Sequence, residues 1–553
     1  MVRIFVDCEM NAECIGWLED LIDEEDGSKA VARSFIMVIQ NALEAKLKEK
    51  IGYHSSDGQS LLEITKKLRS SIVQDLDLLR VNNHGTDFPK AFLKVVWHQL
   101  LEKHMVPGPK DTIIRLPSVT QFEEETILSS YVKDVDLEII ENSPVGALLE
   151  LKDGKGLKDM IDGILSNRES EQTKFLKDLK LSEQCRMKSL SYEMNFYINI
   201  EDKQGNLDSC ISQEFDNIGL SDSGNNSDST LFETVHTRLP LTLKHLKEVK
   251  VTLLPSVKFD KQWEMLHYDS NLKEKMYSHG ISSLKLSHLL EKCKTKIRKN
   301  NLFLLHGPPG TGKTTLCKSF CQKLALRNCN LFDSGHSGIL VEVSCSQIFS
   351  RWFGESTKNL DGIFNDIERL LKHEQASKKF VCLLFDEVES LAISRHQLLN
   401  TNETTDSVRV LNCLMTHLDN LKKYPNFILL CTSNLRENID PAFLDRLDVS
   451  FYVGFPSVTV CQQILTNITQ EMINSEIIFP DENEFEMETI IKKLAVFSNA
   501  CKISGRTLSK VPLSCLSENF TDVPIPLTQY LLALNATLRK HHRQLNTPTE
   551  HFS

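Results

Sequence analysis

The sequence of 553 residues lacks features that would place it in several specialised classes. Its 15 cysteines include no C-x-x-C pair, and so long a chain does not read as a disulfide framework. We therefore expect free, mostly buried thiols in a reducing compartment.

No uninterrupted apolar run approaches the roughly 20 residues that a membrane helix needs. Acidic residues also come too early for a secretory signal. We expect a soluble intracellular protein with no membrane partner.

The chain also lacks an excess of positive charge. It has 64 Lys and Arg against 75 Asp and Glu, a net charge of −11. Such a balance creates no general field that attracts nucleic acid or an anionic membrane. Basic clusters at 292–299 and 539–543 are local, and we interpret them as helix faces. Direct binding of nucleic acid is therefore not expected.

What is present is an ordinary globular composition, 41% hydrophobic and 25% charged, and a length that predicts two or more domains. We predict an N-terminal α/β binding domain over 1–240. A polar stretch near 203–233 predicts a flexible segment within it. This domain shows strand-like segments at 2–6 and 194–200 and helix-like segments at 34–50 and 60–79.

From residue 250 onward, apolar strands alternate with helices, which predicts a parallel, helix-covered sheet over 250–455. A helix-rich region follows over 456–553. The expected fold class is α/β throughout. A single set of nucleotide-binding motifs and no internal repeat indicate one catalytic module.

The strongest motif follows the apolar segment 301–306. It matches G-x-x-x-x-G-K-[ST] between a strand and a helix, the setting that a P-loop requires. Its glycines let backbone N–H groups converge on phosphates, Lys313 neutralises the β- and γ-phosphates, and Thr314 ligates Mg²⁺. ATP and Mg²⁺ are therefore the expected cofactors, and the predicted ATP-binding residues are Gly307, Pro308, Pro309, Gly310, Thr311, Gly312, Lys313, Thr314 and Thr315.

Polar residues follow two further apolar strands. Asp386 and Glu387 come after 380–385, at the strand end where ligands bind in open α/β sheets. Asp386 is expected to hold Mg²⁺ together with Thr314, and Glu387 to act as the general base on the attacking water. Asn434 follows 427–433, where its amide is expected to contact the γ-phosphate or the water. A solvated turn is the alternative for each.

Residues 439–448 resemble the second homology region of the AAA ATPases. That resemblance implies that Arg446 is an arginine finger that reaches the ATP of a neighbouring subunit, with a surface salt bridge as the alternative. Asp445 is a departure, since a second arginine usually lies nearby. Residues 504–506 resemble the sensor-2 motif of the AAA lid, which implies that Arg506 contacts the phosphates of its own chain.

Trp352, Phe353 and Gly354 occupy the position of the first pore loop in AAA protein remodellers. There an aromatic step grips an unfolded polypeptide without sequence selectivity. Two adjacent large aromatics are unusual in a solvent loop. Packing into the core is the alternative role for them.

Together with the motifs Asp386–Leu391 and Phe443–Asp448, these segments resemble the pachytene checkpoint protein 2 and thyroid-receptor interactor family, and a fungal member more than an animal one. The resemblance implies an N-terminal adaptor domain, an AAA+ module with a helical lid, and a homo-hexamer. It also implies an ATPase that partly unfolds HORMA-domain proteins, with an adaptor protein as a further partner. Such proteins act on meiotic chromosome axes and in a synapsis and recombination checkpoint. The implied location is the nucleus, on chromosomes and in the nucleolus, with some protein in the cytoplasm.

Two other functions are compatible with a nucleotide site. A DNA-acting AAA+ ATPase, of the clamp-loader or origin type, predicts basic pore residues, whereas this loop is aromatic. A nucleotide-gated chromatin scaffold needs only binding, whereas Glu387, Asn434, Arg446 and Arg506 are all present.

Overall fold

The chain forms two compact units. The first comprises Met1–Asn199 and Leu326–Ser334, and the second comprises Ile200–Ala325 and Gly335–Ser553. The domain boundaries near 240 and 455 stay predictions. A computed structural model describes residues 2–12, 35–36, 39–40, 43, 131–141, 190–199, 249–268, 271–293, 301–328, 337–345, 356–376, 379–392, 404–480, 484–521 and 523–546.

The first unit is built on a three-stranded sheet. Strand β1 (Val2–Met10) lies between β2 (Val132–Glu141), to which it is antiparallel, and β3 (Leu190–Tyr197), to which it is parallel. The strands expected at 2–6 and 194–200 correspond to β1 and β3, whereas β2 was not predicted from the sequence. Acidic and apolar side chains alternate along Asp134–Ile139, a period of two that is typical of a strand, so this signal was present in the sequence.

Other predictions for this half fall largely on residues outside the described ranges. Within the segment 34–50, the described residues are helical, and Phe35, Ile39 and Leu43 are buried at a spacing of four. That spacing places them on one helix face, as the sequence predicts. The helix expected at 60–79 and the flexible segment near 203–233 lie outside the described residues.

A buried ion pair lies within the first unit. The Arg327 guanidinium contacts the Asp7 carboxylate at 2.9 Å, and both side chains are 1% exposed. Arg327 also pairs with Glu138, and its guanidinium carbon lies 4.1 Å from the centroid of the Phe5 ring. Removing one member of such a pair is strongly destabilising, because the remaining charge stays buried without compensation.

The second unit contains a six-stranded sheet in the order β4-β6-β7-β8-β5-β9. Five strands pair in parallel, as predicted, and the edge strand β4 pairs antiparallel with β6. Strand β8 is buried along its full length and β7 up to Phe385, because helices cover both faces of the sheet. The strands are β4 (Lys250–Leu254), β5 (Leu302–His306), β6 (Gly338–Ser344), β7 (Phe380–Asp386), β8 (Phe427–Ser433) and β9 (Val449–Tyr452).

The helices of this sheet domain connect its strands. Short 3₁₀ turns at Val257–Phe259, Val388–Ser390 and Arg436–Asn438 supplement them. The helices are α1 (Gln262–Met265), α2 (Leu272–Cys293), α3 (Lys313–Leu326), α4 (Ser356–Ala376), α5 (Thr404–Leu421) and α6 (Pro441–Leu444).

A helical region with its own core follows, as the sequence predicts for a lid. Its buried residues include Leu465, Leu508 and Tyr530. None of the helices within the described ranges combines the length and apolar character that a membrane crossing demands. The lid elements are α7 (Val458–Asn474), β10 (Ile478–Phe479), α8 (Glu484–Ala500), α9 (Gly505–Asn519), β11 (Ile525–Pro526) and α10 (Leu527–Asn546).

Candidate functional site

The loop between β5 and α3 forms a cradle in which three positions require glycine. Gly307, Gly310 and Gly312 have φ angles of +144°, +76° and +88°, a region that L side chains rarely adopt. A Cβ at Gly307 would lie 2.2 Å from the carbonyl oxygen of Val453. The loop backbone is therefore curved and closely approached, as a phosphate cradle requires.

Lys313 begins α3 and lies at the centre of the site. Its ammonium group donates to the carbonyl oxygens of Gly307 at 2.8 Å and Pro308 at 2.7 Å, and to the Asn434 side-chain oxygen at 2.7 Å. Burial lowers the pKa of Lys313, and the Glu389 carboxylate opposes that shift. The contact with Asn434 joins the P-loop to the end of β8.

Thr314, in the first turn of α3, meets Asp386 at the end of β7. The Thr314 hydroxyl donates to one Asp386 carboxylate oxygen at 2.7 Å, and the Thr432 hydroxyl donates to the same oxygen. One hydroxyl and one carboxylate are hard oxygen ligands of the kind that Mg²⁺ prefers when phosphates complete its shell. The predicted metal ligands are thus brought together.

Glu387 stands directly after this carboxylate in a left-handed conformation, with φ +57° and ψ +52°. Its backbone N–H donates to Thr432 Oγ1 at 3.1 Å, and its side chain is exposed. Two residues on, Glu389 accepts the backbone N–H of Asn434 at 3.0 Å. The two glutamates therefore differ in role: Glu387 is free to face a substrate, and Glu389 holds the Asn434 loop.

Arg446 lies on a different part of the unit. Its guanidinium donates to Asp419 Oδ2 through Nε at 3.2 Å and Nη2 at 3.0 Å, and to the Ala442 carbonyl at 2.8 Å. These partners are on α5 and α6, and they do not belong to the cluster around Lys313. The structure thus does not bring Arg446 together with the other predicted catalytic residues within one chain.

The lid reaches the P-loop through the start of α9. The Arg506 backbone N–H donates to the Gly310 carbonyl at 3.0 Å. A Cβ at Gly310 would lie 2.7 Å from Ser504 Oγ and 3.4 Å from the Arg506 Cβ. Arg506 is also one of the cationic groups that lower the pKa of Lys313. The predicted sensor-2 residue therefore lies beside the cradle.

Tyr268 covers the other side of the cradle. Its hydroxyl lies 3.0 Å from the point that a Cβ on Gly312 would occupy. Burial raises the pKa of this phenol, and the hydroxyl has no hydrogen-bond partner among the described residues. A glycine cradle with an unpaired buried donor beside it fits a phosphate-bearing nucleotide, whose oxygens accept such bonds.

The remaining predicted residues divide into two groups. Pro308, Pro309, Thr311 and Thr315 lie on the loop or the first turn of α3, and the Thr311 hydroxyl donates to the Pro308 carbonyl at 3.0 Å. Trp352, Phe353 and Gly354 lie outside the described residues, between β6 and α4. Their role as a pore loop stays a prediction.

Sequence reasoning missed four residues around the site: Tyr268, Glu389, Asp419 and Thr432. Glu389 lies within the motif Asp386–Leu391, but that motif assigned it no role of its own. A threonine two residues before Asn434 and an acid two residues after Glu387 were visible signals. Their function depends on which strand ends lie side by side, and no local spacing shows that.

The fold and site define the class of protein. Residues 303–455 match the family model described as the ATPase family associated with various cellular activities (AAA). This segment begins within β5 and ends after β9, so it contains the P-loop, the carboxylate pair and Arg446. The chain is an ATPase of this class.

The particular family follows from relatives that extend beyond that segment. The chain is 35% identical to Pachytene checkpoint protein 2 of Saccharomyces cerevisiae over 529 residues, 90% of each protein. It is 33% identical to the Xenopus tropicalis homologue over 54% of the chain and 71% of that protein. The chain belongs to the pachytene checkpoint protein 2 family, as predicted.

Two solved structures also resemble it. One is the structure of C. elegans PCH-2, with 31% identity, a TM-score of 0.46, and coverage of 53% of this chain and 75% of that one. The other is the E. coli MS115-1 HORMA:CdnC:Trip13 complex, with 16% identity, a TM-score of 0.41, and coverage of 52% and 96%. At TM-scores this low, neither superposition supports a further conclusion.

Proposed function

We propose that this ATPase is a hexameric remodeller that uses Mg²⁺-ATP to unfold HORMA-domain proteins in part, acting on meiotic chromosome axes and their checkpoint. The observation that carries the ATP-driven part is the convergence of Lys313, Thr314, Asp386 and Asn434 within hydrogen-bond distance. The HORMA client and the meiotic role rest on the family resemblance. The nuclear, chromosome-associated location rests on the same ground.

In this proposal, the nucleotide phosphates lie on the loop amides and on Lys313, and Mg²⁺ takes Thr314 and Asp386 as protein ligands. A bound Mg²⁺ would supply positive charge that offsets the negative charge developing on the phosphate oxygens. Glu387 accepts a proton from the attacking water, and Asn434 orients that water or the γ-phosphate. The left-handed backbone of Glu387 supports this role, because it turns the carboxylate out of the strand.

Hydrolysis in this scheme needs a neighbouring subunit. Arg446 is bonded to Asp419 and Ala442 and not to the Lys313 cluster, which fits a finger that acts on the ATP of the next protomer. Arg506 instead acts within the chain and couples the lid to the nucleotide through its contact with Gly310. Client threading uses Trp352 and Phe353, with the N-terminal unit or an adaptor choosing the client.

The test is steady-state ATPase activity of the full chain alone, with a HORMA-domain protein, and with duplex DNA. We expect stimulation by the HORMA protein, and we expect Trp352→Ala to lose that stimulation while keeping basal hydrolysis. Leu513→Ala is the matched control, since this lid leucine is 65% exposed. Stimulation by DNA alone would overturn the proposal in favour of a DNA-acting ATPase. No turnover under any condition would favour the scaffold.

A further inference from the structure

Three metal-binding side chains converge on the surface between α4 and α5, outside the nucleotide site. The His417 ring nitrogen Nε2 lies 2.6 Å from Asp361 Oδ1, and the Cys413 sulfur lies 3.0 Å from the same oxygen. All three potential ligand atoms lie within 4.8 Å of one another. Among the described residues, no other group of three His, Cys, Asp or Glu side chains is close enough to share one ion.

The backbone holds these side chains in place. Cys413 and His417 are four residues apart on α5, so they share one helix face and project in the same direction. Asp361 comes from α4, which packs beside α5. The His417 ring also stacks on Phe364 at 4.7 Å between centroids and 3° between planes. The imidazole is therefore oriented by packing before any ion binds.

We propose that Asp361, Cys413 and His417 form a zinc site that links α4 to α5. Thiolate, imidazole and carboxylate are all established ligands of Zn²⁺, and a thiolate selects against Mg²⁺ and Ca²⁺. Three protein ligands leave a fourth tetrahedral position for water. The Asp361 side chain is 49% exposed, which leaves that position accessible.

The geometry requires only small movements. From metal–ligand distances of about 2.0 to 2.3 Å, the ligand atoms around a tetrahedral zinc ion lie roughly 3.3 to 3.6 Å apart. The Cys413 contact to Asp361 must therefore open by about 0.3 to 0.6 Å and the His417 contact by about 0.7 to 1.0 Å, which rotation of the half-exposed Asp361 side chain allows. Binding breaks the S–H bond of Cys413, whose proton leaves to solvent, and moves the ring proton of His417 to Nδ1.

This site differs in chemistry from the one that would hold Mg²⁺. Thr314 and Asp386 offer only oxygen, whereas this cluster offers sulfur and nitrogen as well. Helix α4 begins directly after the segment that contains the predicted pore loop, and α5 carries Asp419, the partner of Arg446. An ion here would therefore brace two helices that adjoin the predicted pore loop and the predicted arginine finger.

The experiment uses the nucleotide-free full chain, freed of metal by dialysis against a chelator and kept reduced with a phosphine. Titration with Co²⁺ alone is followed by absorption, because a thiolate ligand produces a charge-transfer band that oxygen ligands do not. We expect one Co²⁺ per chain with this band, and its stoichiometric displacement by Zn²⁺. Cys413→Ser and His417→Gln should abolish the band.

The controls separate this cluster from other thiols. Cys501→Ser changes another partly buried cysteine, in the lid, and should keep the band. Asp361→Ala alters a half-exposed position, so it tests the site even if Cys413→Ser fails to fold. We expect it to weaken Co²⁺ binding by about 100-fold or more.

A parent chain without the band would show only a hydrogen-bonded Asp–Cys–His cluster. A band that persists in Cys413→Ser and Asp361→Ala would assign the metal to other residues. Either result would overturn the proposal.

Discussion

Thr432 links the Asp386 carboxylate to the backbone of Glu387, and its substitution provides a sharp test of the site. Its hydroxyl donates to Asp386 and accepts the backbone N–H of Glu387. The residue is 2% exposed, so water does not replace these bonds freely. Thr432→Val keeps the shape of the side chain and removes both interactions.

The size of the effect follows from the charge on one partner. A hydrogen bond to a charged group contributes roughly 1.5 to 3 kcal/mol, and 1.4 kcal/mol corresponds to about a tenfold change in rate. If the full loss falls on the arrangement needed for hydrolysis, kcat drops about 10- to 100-fold. Nucleotide affinity should change less, because Lys313 and the glycine cradle remain.

Thr252 provides a matched control in the same sheet. It is 1% exposed on β4, and its hydroxyl has no hydrogen-bond partner among the described residues. Thr252→Val should therefore leave kcat within about twofold, since no bond is lost. The assay is steady-state hydrolysis at saturating ATP, with affinity measured by a fluorescent nucleotide and folding by thermal melting. Equal kcat values for the two variants, both close to the parent, would refute the assigned role of Thr432.

Three further predictions test other parts of the structure. Gly310→Ala places a Cβ at a φ of +76° and 2.7 Å from a lid hydroxyl, so KM for ATP should rise about tenfold or more. Gly505→Ala is the control. Its Cβ would lie 3.8 Å from the nearest atom, so KM should stay near the parent value. Arg446→Ala should lower kcat by about 10³-fold if the finger contacts phosphate. Asp419→Asn should change kcat by no more than about fivefold, because the ion pair between Asp419 and Arg446 is partly exposed. Similar losses of kcat in both variants would show that Arg446 acts only through that pair. Arg327→Met should destabilise the first unit by about 3 to 5 kcal/mol. The measurement is hydrogen exchange in β1, which should become faster. Unchanged exchange in β1 would contradict the buried charge pair.

The nucleotide site was largely predictable from the sequence because its parts are contiguous motifs. The P-loop determines its own conformation through Gly307, Gly310 and Gly312. The carboxylates 386–387 and Asn434 each come at the end of a largely apolar strand. Parallel strands place their carboxyl ends at one edge of the sheet, so the convergence of these residues was expected before any coordinates.

Other parts were not predictable, because they depend on pairs of residues distant in sequence. The partner of Asp7 lies 320 residues away at Arg327. The contact of Arg506 with Gly310 depends on how the lid folds back. The predicted pore loop, 352–354, stays untested, because it lies outside the described residues.

The sequence by itself determined the class of chemistry, since a phosphate cradle and its carboxylate pair are local patterns that steric and hydrogen-bonding rules impose over a few residues. The tertiary structure alone decided which groups support them: Thr432 on the Asp386 carboxylate and the Glu387 backbone, Glu389 on the Asn434 loop, and Asp419 on Arg446. It also decided that Asp361 meets Cys413 and His417. Each of these contacts joins separate elements, and their proximity depends on strand order and helix packing, which local spacing does not encode.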